Sequence, residues 1–261
     1  MKKVLIIGDS CIDIFEYGEC RRICPEAPVP VLNPTEKKQN YGMAYNVYVN
    51  LLHLDIDCDI VTNEKKPVKT RYIDETSNQM IIRIDQDDQV EELSWNVLKS
   101  IDFSKYDIVV ISDYNKGFLS KTHIAYITAS CRPYPRITFL DTKKEIGSWC
   151  NDVDYIKINQ KEYERNHDFL MNEYRGNLIV TRGKDETLLN PHKEHPQFFS
   201  IKNEHPVRDL TGAGDTFLAG LVAKYSEKGI IEDAIEFANR CATWAVTQKG
   251  VAIISLDKIE L

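Results

Sequence analysis

The chain has 261 residues, 43% hydrophobic and 28% charged, the balance of a soluble globular protein long enough to bury one large core. Its charges, 33 basic against 40 acidic for a net of −7, argue against non-specific binding to nucleic acid or to an anionic membrane surface. Seven cysteines, odd in number and without a CxxC pair, signal neither a disulfide framework nor a zinc knuckle, so free thiols in a reducing cytoplasm are expected.

The chain opens with MKKVLIIGDS, which starts like a signal peptide, but the apolar run stops at Gly8-Asp9. No later stretch approaches ~18 consecutive apolar residues, so no membrane span is expected. From there short β-branched runs alternate with helical patterns. Strands are predicted at 4–8, 58–61, 107–112, 136–141, 154–159 and 177–183, with helices at 44–54, 119–130, from 160, at 213–227 and at 231–247. The strand runs are continuously apolar rather than alternating. Such strands are buried on both faces, which predicts an α/β fold with a Rossmann-like, mostly parallel sheet covered by helices on both sides.

Two stretches break this rhythm. CPEAPVPVLNP (24–34) carries four prolines and reads as an extended edge segment. VKTRYIDETSNQMIIRID (68–85) reads as a hairpin turning at Glu75-Thr76-Ser77-Asn78. Together they predict a small β lid, made of segments at about 14–40 and 67–86 of a single domain covering 1–261. Open α/β sheets bind ligands at the carboxyl ends of their strands, where such a lid would close.

The most informative motif is DLTGAGD (209–215), directly before the helix from 213. Asp215 fits an ordinary helix cap, but that leaves the glycines unexplained. Gly212, Ala213 and Gly214 allow a tight turn that presents unpaired N–H groups at a positive helix end, an anion site. A carboxylate beside a bound phosphate suggests a base taking a proton from an attacking hydroxyl. Asp9 and Asp13 follow the first strand and are either solvated loop acids or substrate ligands. Asn159 and Glu162 are either a helix cap with its first-turn acid or a pair that orients water on Mg²⁺. SDYNKG (112–117) is either a polar turn or part of a site, and His192 and His195 read as a solvated loop rather than a metal site.

These motifs together, with TRG at 181–183, resemble the ribokinase-like (PfkB) carbohydrate kinase family, in order along nearly the whole chain. RRICPEAPVPV, VKTR with NQMIIRID, and SDYNKGFLS resemble its heptose-7-phosphate kinase branch, which serves lipopolysaccharide precursor synthesis. The resemblance implies an ATP-dependent, Mg²⁺-requiring cytoplasmic kinase of a sugar or sugar phosphate. Asp215 would be the base and Gly212, Ala213 and Gly214 the anion hole. Asn159 and Glu162 would organise Mg²⁺ and its water, Thr181 and Gly183 would follow the ATP phosphates, and Asn239 would lie near the adenine. Asp13, Asn46 and Gly42 would meet the sugar, and Asp209 and Thr211, with the loop near Gly250, would hold a monovalent cation such as K⁺.

Lys69 and Arg71, two apart on one strand, and Arg83 on the returning strand form either a solvated lid face or a cradle for a phosphate already on the acceptor. Exposed lid strands imply a homodimer through the lid. The chain also departs from the family pattern. Tyr41-Gly42 replaces the usual glycine pair, Glu186 replaces a glycine, and only five residues separate Val61 from Pro67, where relatives carry further elements. No nucleotidyltransferase domain follows Leu261, so adenylyl transfer is expected from another chain. The rival readings are a kinase of a free sugar or nucleoside and a non-catalytic sensor.

Overall fold

A computed structural model describes residues 2–201 and 206–259. In chain order the elements are β1 (Val4–Gly8), β2 (Ser10–Ile23), β3 (Pro30–Met43), α1 (Ala44–His53), β4 (Cys58–Thr62), β5 (Val68–Asp74), β6 (Gln79–Gln86), α2 (Trp95–Ser100), β7 (Ile108–Asp113), α3 (Lys121–Cys131) and β8 (Ile137–Thr142). They continue with β9 (Tyr155–Asn159), α4 (Gln160–Arg165), α5 (His167–Asn172), β10 (Asn177–Thr181), β11 (Glu186–Leu189), β12 (Gln197–Ser200), α6 (Ala213–Lys228), α7 (Ile231–Ala245) and α8 (Leu256–Ile259).

Eight strands form the main sheet in the order β12-β11-β10-β9-β8-β7-β1-β4. It is parallel from β4 through β10, and β11 and β12 add antiparallel at one edge. The continuous apolar runs divide by side, as a period of two requires. Val4, Ile6, Ile108 and Val110 join the core under α1, α6 and α7, while Leu5, Ile7, Val109 and Ile111 join a second core on the opposite face, with α3 and α5. β1 pairs with β4 on one side and β7 on the other, so the chain's direction of travel across the sheet reverses there. That reversal opens a crevice at the carboxyl ends, the place where such sheets bind ligands.

A separate four-stranded sheet has the order β3-β2-β5-β6. The hairpin turns at the predicted residues. The proline-rich segment becomes a strand only from Pro30, and β3 lies at the edge, where missing N–H groups are tolerated. One expectation is corrected: Asp13 is not on a loop but within β2, a strand of 14 residues that leaves the main sheet after Asp9. Its polar and apolar residues alternate, SCIDIFEYGE, which marks a strand with unlike faces. All seven cysteines are unpaired, and no helix among the described residues is long and apolar enough to cross a membrane.

Candidate active site

The start of α6 sets the geometry of the crevice. Gly212 is the N-cap with φ 79°, in the left-handed region that favours glycine, and a side chain there would also stand 3.0 Å from Asn46 Nδ2. With no side chain at the cap, the first turn leaves the N–H groups of Gly214 and Asp215 without acceptors inside the helix. The Ala213 N–H bonds the Leu210 carbonyl at 3.3 Å.

Asp215 therefore does not cap α6. As the third helical residue it faces the crevice, where it is 3% exposed and accepts hydrogen bonds from the Tyr114 hydroxyl (2.6 Å) and Asn46 Nδ2 (3.2 Å). Burial pushes its carboxyl up to about 6, and the Asp141 charge adds to this, while Tyr114, Asn46 and the Lys157 charge pull it down. A base with that proton affinity is matched to work near neutral pH. Burial and the neighbouring Asp215 hold the Tyr114 phenol well above its usual range, so it stays a donor.

Beneath this turn lies a buried ion pair, Lys157 Nζ to Asp141 Oδ2 at 2.6 Å, and the same ammonium reaches the Gly214 carbonyl at 3.4 Å. Burial alone would raise the Asp141 carboxyl, but Lys157 and Lys143 outweigh it and the carboxyl is lowered. Lys143 bridges Glu162 (2.6 Å) and Asp141 (3.4 Å). Asn159 and Glu162 cap α4 reciprocally, each side chain accepting the other's backbone N–H at 2.9 Å, so the ordinary reading of this pair is correct as far as it goes. Among the described residues no group of three acids, histidines or cysteines is built to hold a resident metal. An ammonium drawn between two carboxylates does mark a spot that attracts a cation. It suits an ion arriving with phosphates and held through water by Glu162.

On the lid side, Asp13 pairs with Arg71 at 2.5 Å and its carboxylate reaches over Gly42, where a Cβ would come 2.1 Å from Asp13 Oδ2. Asn46 is fixed through its Oδ1 by Asn50 Nδ2 at 2.8 Å, and Asn50 Oδ1 accepts the Ile254 N–H at 2.8 Å. Arg71 and Arg83 are direct partners in the β5–β6 register and so share a face with Lys69. They do not converge as a bare anion cradle. Arg71 is paired with Asp13, Arg83 with Asp85 and Lys69 with Asp88, because acids interleave with them in and beside these strands.

Thr181, Gly183 and Asn239 line one cavity of about 380 Å³, with Phe217, Val246 and Ala213 among its walls. Asn239 Oδ1 accepts the Thr187 hydroxyl at 2.7 Å, and its Nδ2 is buried with no partner among the described residues. The Asp209 carboxylate accepts the backbone N–H groups of Thr211 (2.8 Å) and Gly250 (3.2 Å), so it ties two loops together. His192 is half-buried against Tyr174 rather than solvated, and burial lowers its pKa. Sequence reasoning named the SDYNKG stretch without singling out Tyr114, and missed Asp141, Lys143 and Lys157. Two signals were available: acids ending buried strands (ISD, FLD), and a lysine inside the apolar run YIKIN.

The profile of the pfkB family carbohydrate kinases matches residues 38–259. The chain is 30% identical over 306 aligned positions to the bifunctional protein HldE of Helicobacter pylori strain J99, covering 100% of this chain and 66% of that protein. It is 28% identical to the HldE of Marinomonas sp. strain MWYL1, covering 99% of this chain and 63% of that protein. The chain thus spans about two thirds of the length of these curated relatives. Among solved structures, a ribokinase from Thermotoga maritima superposes with a TM-score of 0.75 at 19% identity, covering 100% of this chain and 98% of that one. Phosphofructokinase-2 from Escherichia coli, solved with potassium, does so with a TM-score of 0.76 at 14% identity, covering 100% and 97%. An Arabidopsis thaliana ribokinase complexed with ribose and ATP gives 0.72 at 16%, covering 96% and 94%. A ribokinase-like sheet with a buried carboxylate at the amino end of α6, and a family profile matched over most of its length, together make this chain a member of the pfkB family of carbohydrate kinases.

Proposed function

We propose that this kinase transfers the γ-phosphoryl group of ATP to a hydroxyl of a sugar phosphate, a heptose 7-phosphate or a close relative. The observation that carries the chemistry is Asp215, a buried carboxylate raised to about 6 and held between Tyr114 and Asn46 at the amino end of a helix. In this reading Asp215 takes the proton of the acceptor hydroxyl as its oxygen bonds to the γ-phosphorus and the bond to the β-phosphate oxygen breaks, releasing ADP. The N–H groups of Gly214 and Asp215 and the nearby Lys157 offset the charge on the transferring group, so positioning and electrostatics supply most of the acceleration.

The 380 Å³ cavity takes the nucleotide, with Asn239 Nδ2 as a donor toward the base and Thr181 and Gly183 along the phosphates. Glu162 and Asn159 would hold Mg²⁺ through water, and the bound ion would neutralise phosphate charge. Asp209 and Thr211, on the loops that the Asp209 carboxylate joins at Gly250, would hold K⁺. Asp13, Asn46 and Gly42 hold the sugar. Residues 1–261 act as one domain whose segments at 14–40 and 67–86 form the lid, and the open edge of β6, with Ile82 and Ile84 exposed on one face, supports pairing of two lids. Support for a heptose phosphate is the likeness to proteins named HldE and the VKTR and NQMIIRID motifs.

One observation favours a second reading, an unphosphorylated sugar: every hairpin cation already has a carboxylate partner. A panel of sugars and sugar phosphates with ATP and Mg²⁺, followed by ADP release, separates the two. The proposal expects the phosphorylated acceptor to be used best. Preference for a free sugar refutes it.

A further inference from the structure

Asp215 is held by donors from two directions, Asn46 on α1 and Tyr114 on the loop between β7 and α3. That loop has no regular structure of its own, and Asn115 (φ 56°) and Gly117 (φ 114°) both turn the chain into the left-handed region. Its shape comes from Asp9, which is fully buried just beyond β1. The Asp9 carboxylate accepts three N–H groups of the loop, those of Tyr114 (2.7 Å) and Lys116 (3.4 Å) on Oδ2 and that of Phe118 (3.2 Å) on Oδ1. Its backbone is tied as well: the N–H donates to the Ser112 carbonyl at 3.2 Å, and the carbonyl accepts the N–H of Ala44, the first residue of α1, at 2.9 Å. A single residue thus touches both elements that carry the donors to Asp215.

We infer that Asp9 is a positioning residue for this kinase: by gathering three N–H groups of the 114–118 loop it holds the Tyr114 hydroxyl on Asp215. The inference rests on the reading of Asp215 as the base. A buried carboxylate that gathers backbone donors fixes a loop that packing alone leaves free, and a fixed phenol keeps the base in one orientation. The charged and titratable groups facing Asp215 are Tyr114 from the loop, Asp141 from β8, Lys157 from β9 and Cys11 from β2, with the Asn46 amide from α1. Of these, Tyr114 is the one that the Asp9 side chain governs. Losing its donation removes a hydrogen bond that favours the ionised carboxylate, so the base should hold its proton to higher pH.

The test uses Asp9→Asn, Tyr114→Phe and the double variant, with kcat/KM for the acceptor followed against pH at saturating ATP. Each single change should lower kcat/KM by about ten- to a hundredfold and move the acidic limb up by about one pH unit, with KM for ATP little changed. The double variant should be no worse than the poorer single one, because both act through one hydrogen bond. Additive losses, or an acidic limb that stays in place in Tyr114→Phe, overturn the inference. Should Asp9→Asn fail to fold, amide exchange in the parent decides: the Tyr114, Lys116 and Phe118 N–H groups must exchange slowly, and exchange at open-loop rates overturns it. Asp215→Asn serves as the control. Full turnover in that variant removes the base reading itself, whereas its loss beside independent Asp9 and Tyr114 effects removes only this inference.

Discussion

Replacing Asp215 by Asn should make the protein more stable while nearly abolishing turnover. The folded carboxyl is raised from 3.8 to about 6, chiefly by burial. About two pKa units at ~1.4 kcal/mol each give about 3 kcal/mol by which ionised Asp215 destabilises the fold. The sign follows from proton binding. Below about pH 4 the group is protonated in both states and carries no penalty; the penalty grows as pH rises from about 4 to 6 and is complete above that. An asparagine still accepts from Tyr114, but its amide meets Asn46 Nδ2, which cannot turn because Asn50 holds the other end of that side chain. That donor contact returns about 1 kcal/mol or more, leaving a net gain of about 1–2 kcal/mol. Thermal unfolding at pH 8 should then occur about 3–5 °C higher in the variant, with the difference shrinking below pH 6 and reversing near pH 4, where only the donor contact remains. Turnover at pH 8 should fall at least ~100-fold with ATP binding nearly intact. A variant less stable than the parent at pH 8, or a difference constant from pH 4 to 8, refutes the reasoning.

Gly42→Ala places a methyl group 2.1 Å from Asp13 Oδ2, so Asp13 must shift; KM for the acceptor should rise at least tenfold with little change in KM for ATP, measured by initial rates. Arg83→Ala, which leaves the Arg71–Asp13 pair in place, should reduce kcat/KM for a phosphorylated acceptor by about 10–100-fold and hardly alter use of a free sugar, as a comparison of the two acceptors will reveal. Asn239→Leu removes an Nδ2 that has no partner among the described residues and leaves the Thr187 hydroxyl without its acceptor; calorimetry should register at least tenfold weaker nucleotide binding. Ile82→Lys with Ile84→Lys places two charges on the exposed edge strand of the lid and should shift a dimer to monomer by sedimentation, with the fold unchanged by circular dichroism.

Much of the fold was legible from local pattern. Continuous apolar runs such as VLII and IVVIS can be buried only in a sheet covered on both faces, and DLTGAGD announced a turn entering a helix. Roles that depend on which strands are neighbours were not legible. The pairing of Lys157 with Asp141 follows from β8 lying beside β9, and the hydrogen bond from Tyr114 to Asp215 joins residues 101 apart that meet only because α6 begins beside the loop that follows β7. The hairpin cations illustrate the same limit from the other direction. Spacing placed Lys69 and Arg71 on one face, but it is the β5–β6 register that sets Arg83 beside them and the parallel register of β2 with β5 that brings in Asp13, so that these cations form ion pairs rather than a bare cradle. Sequence by itself determined the period of burial and the turn chemistry, because both are short-range properties of the chain. Only the tertiary structure decided the protonation and partners of Asp215, since burial and charge at a point depend on every element that packs around it.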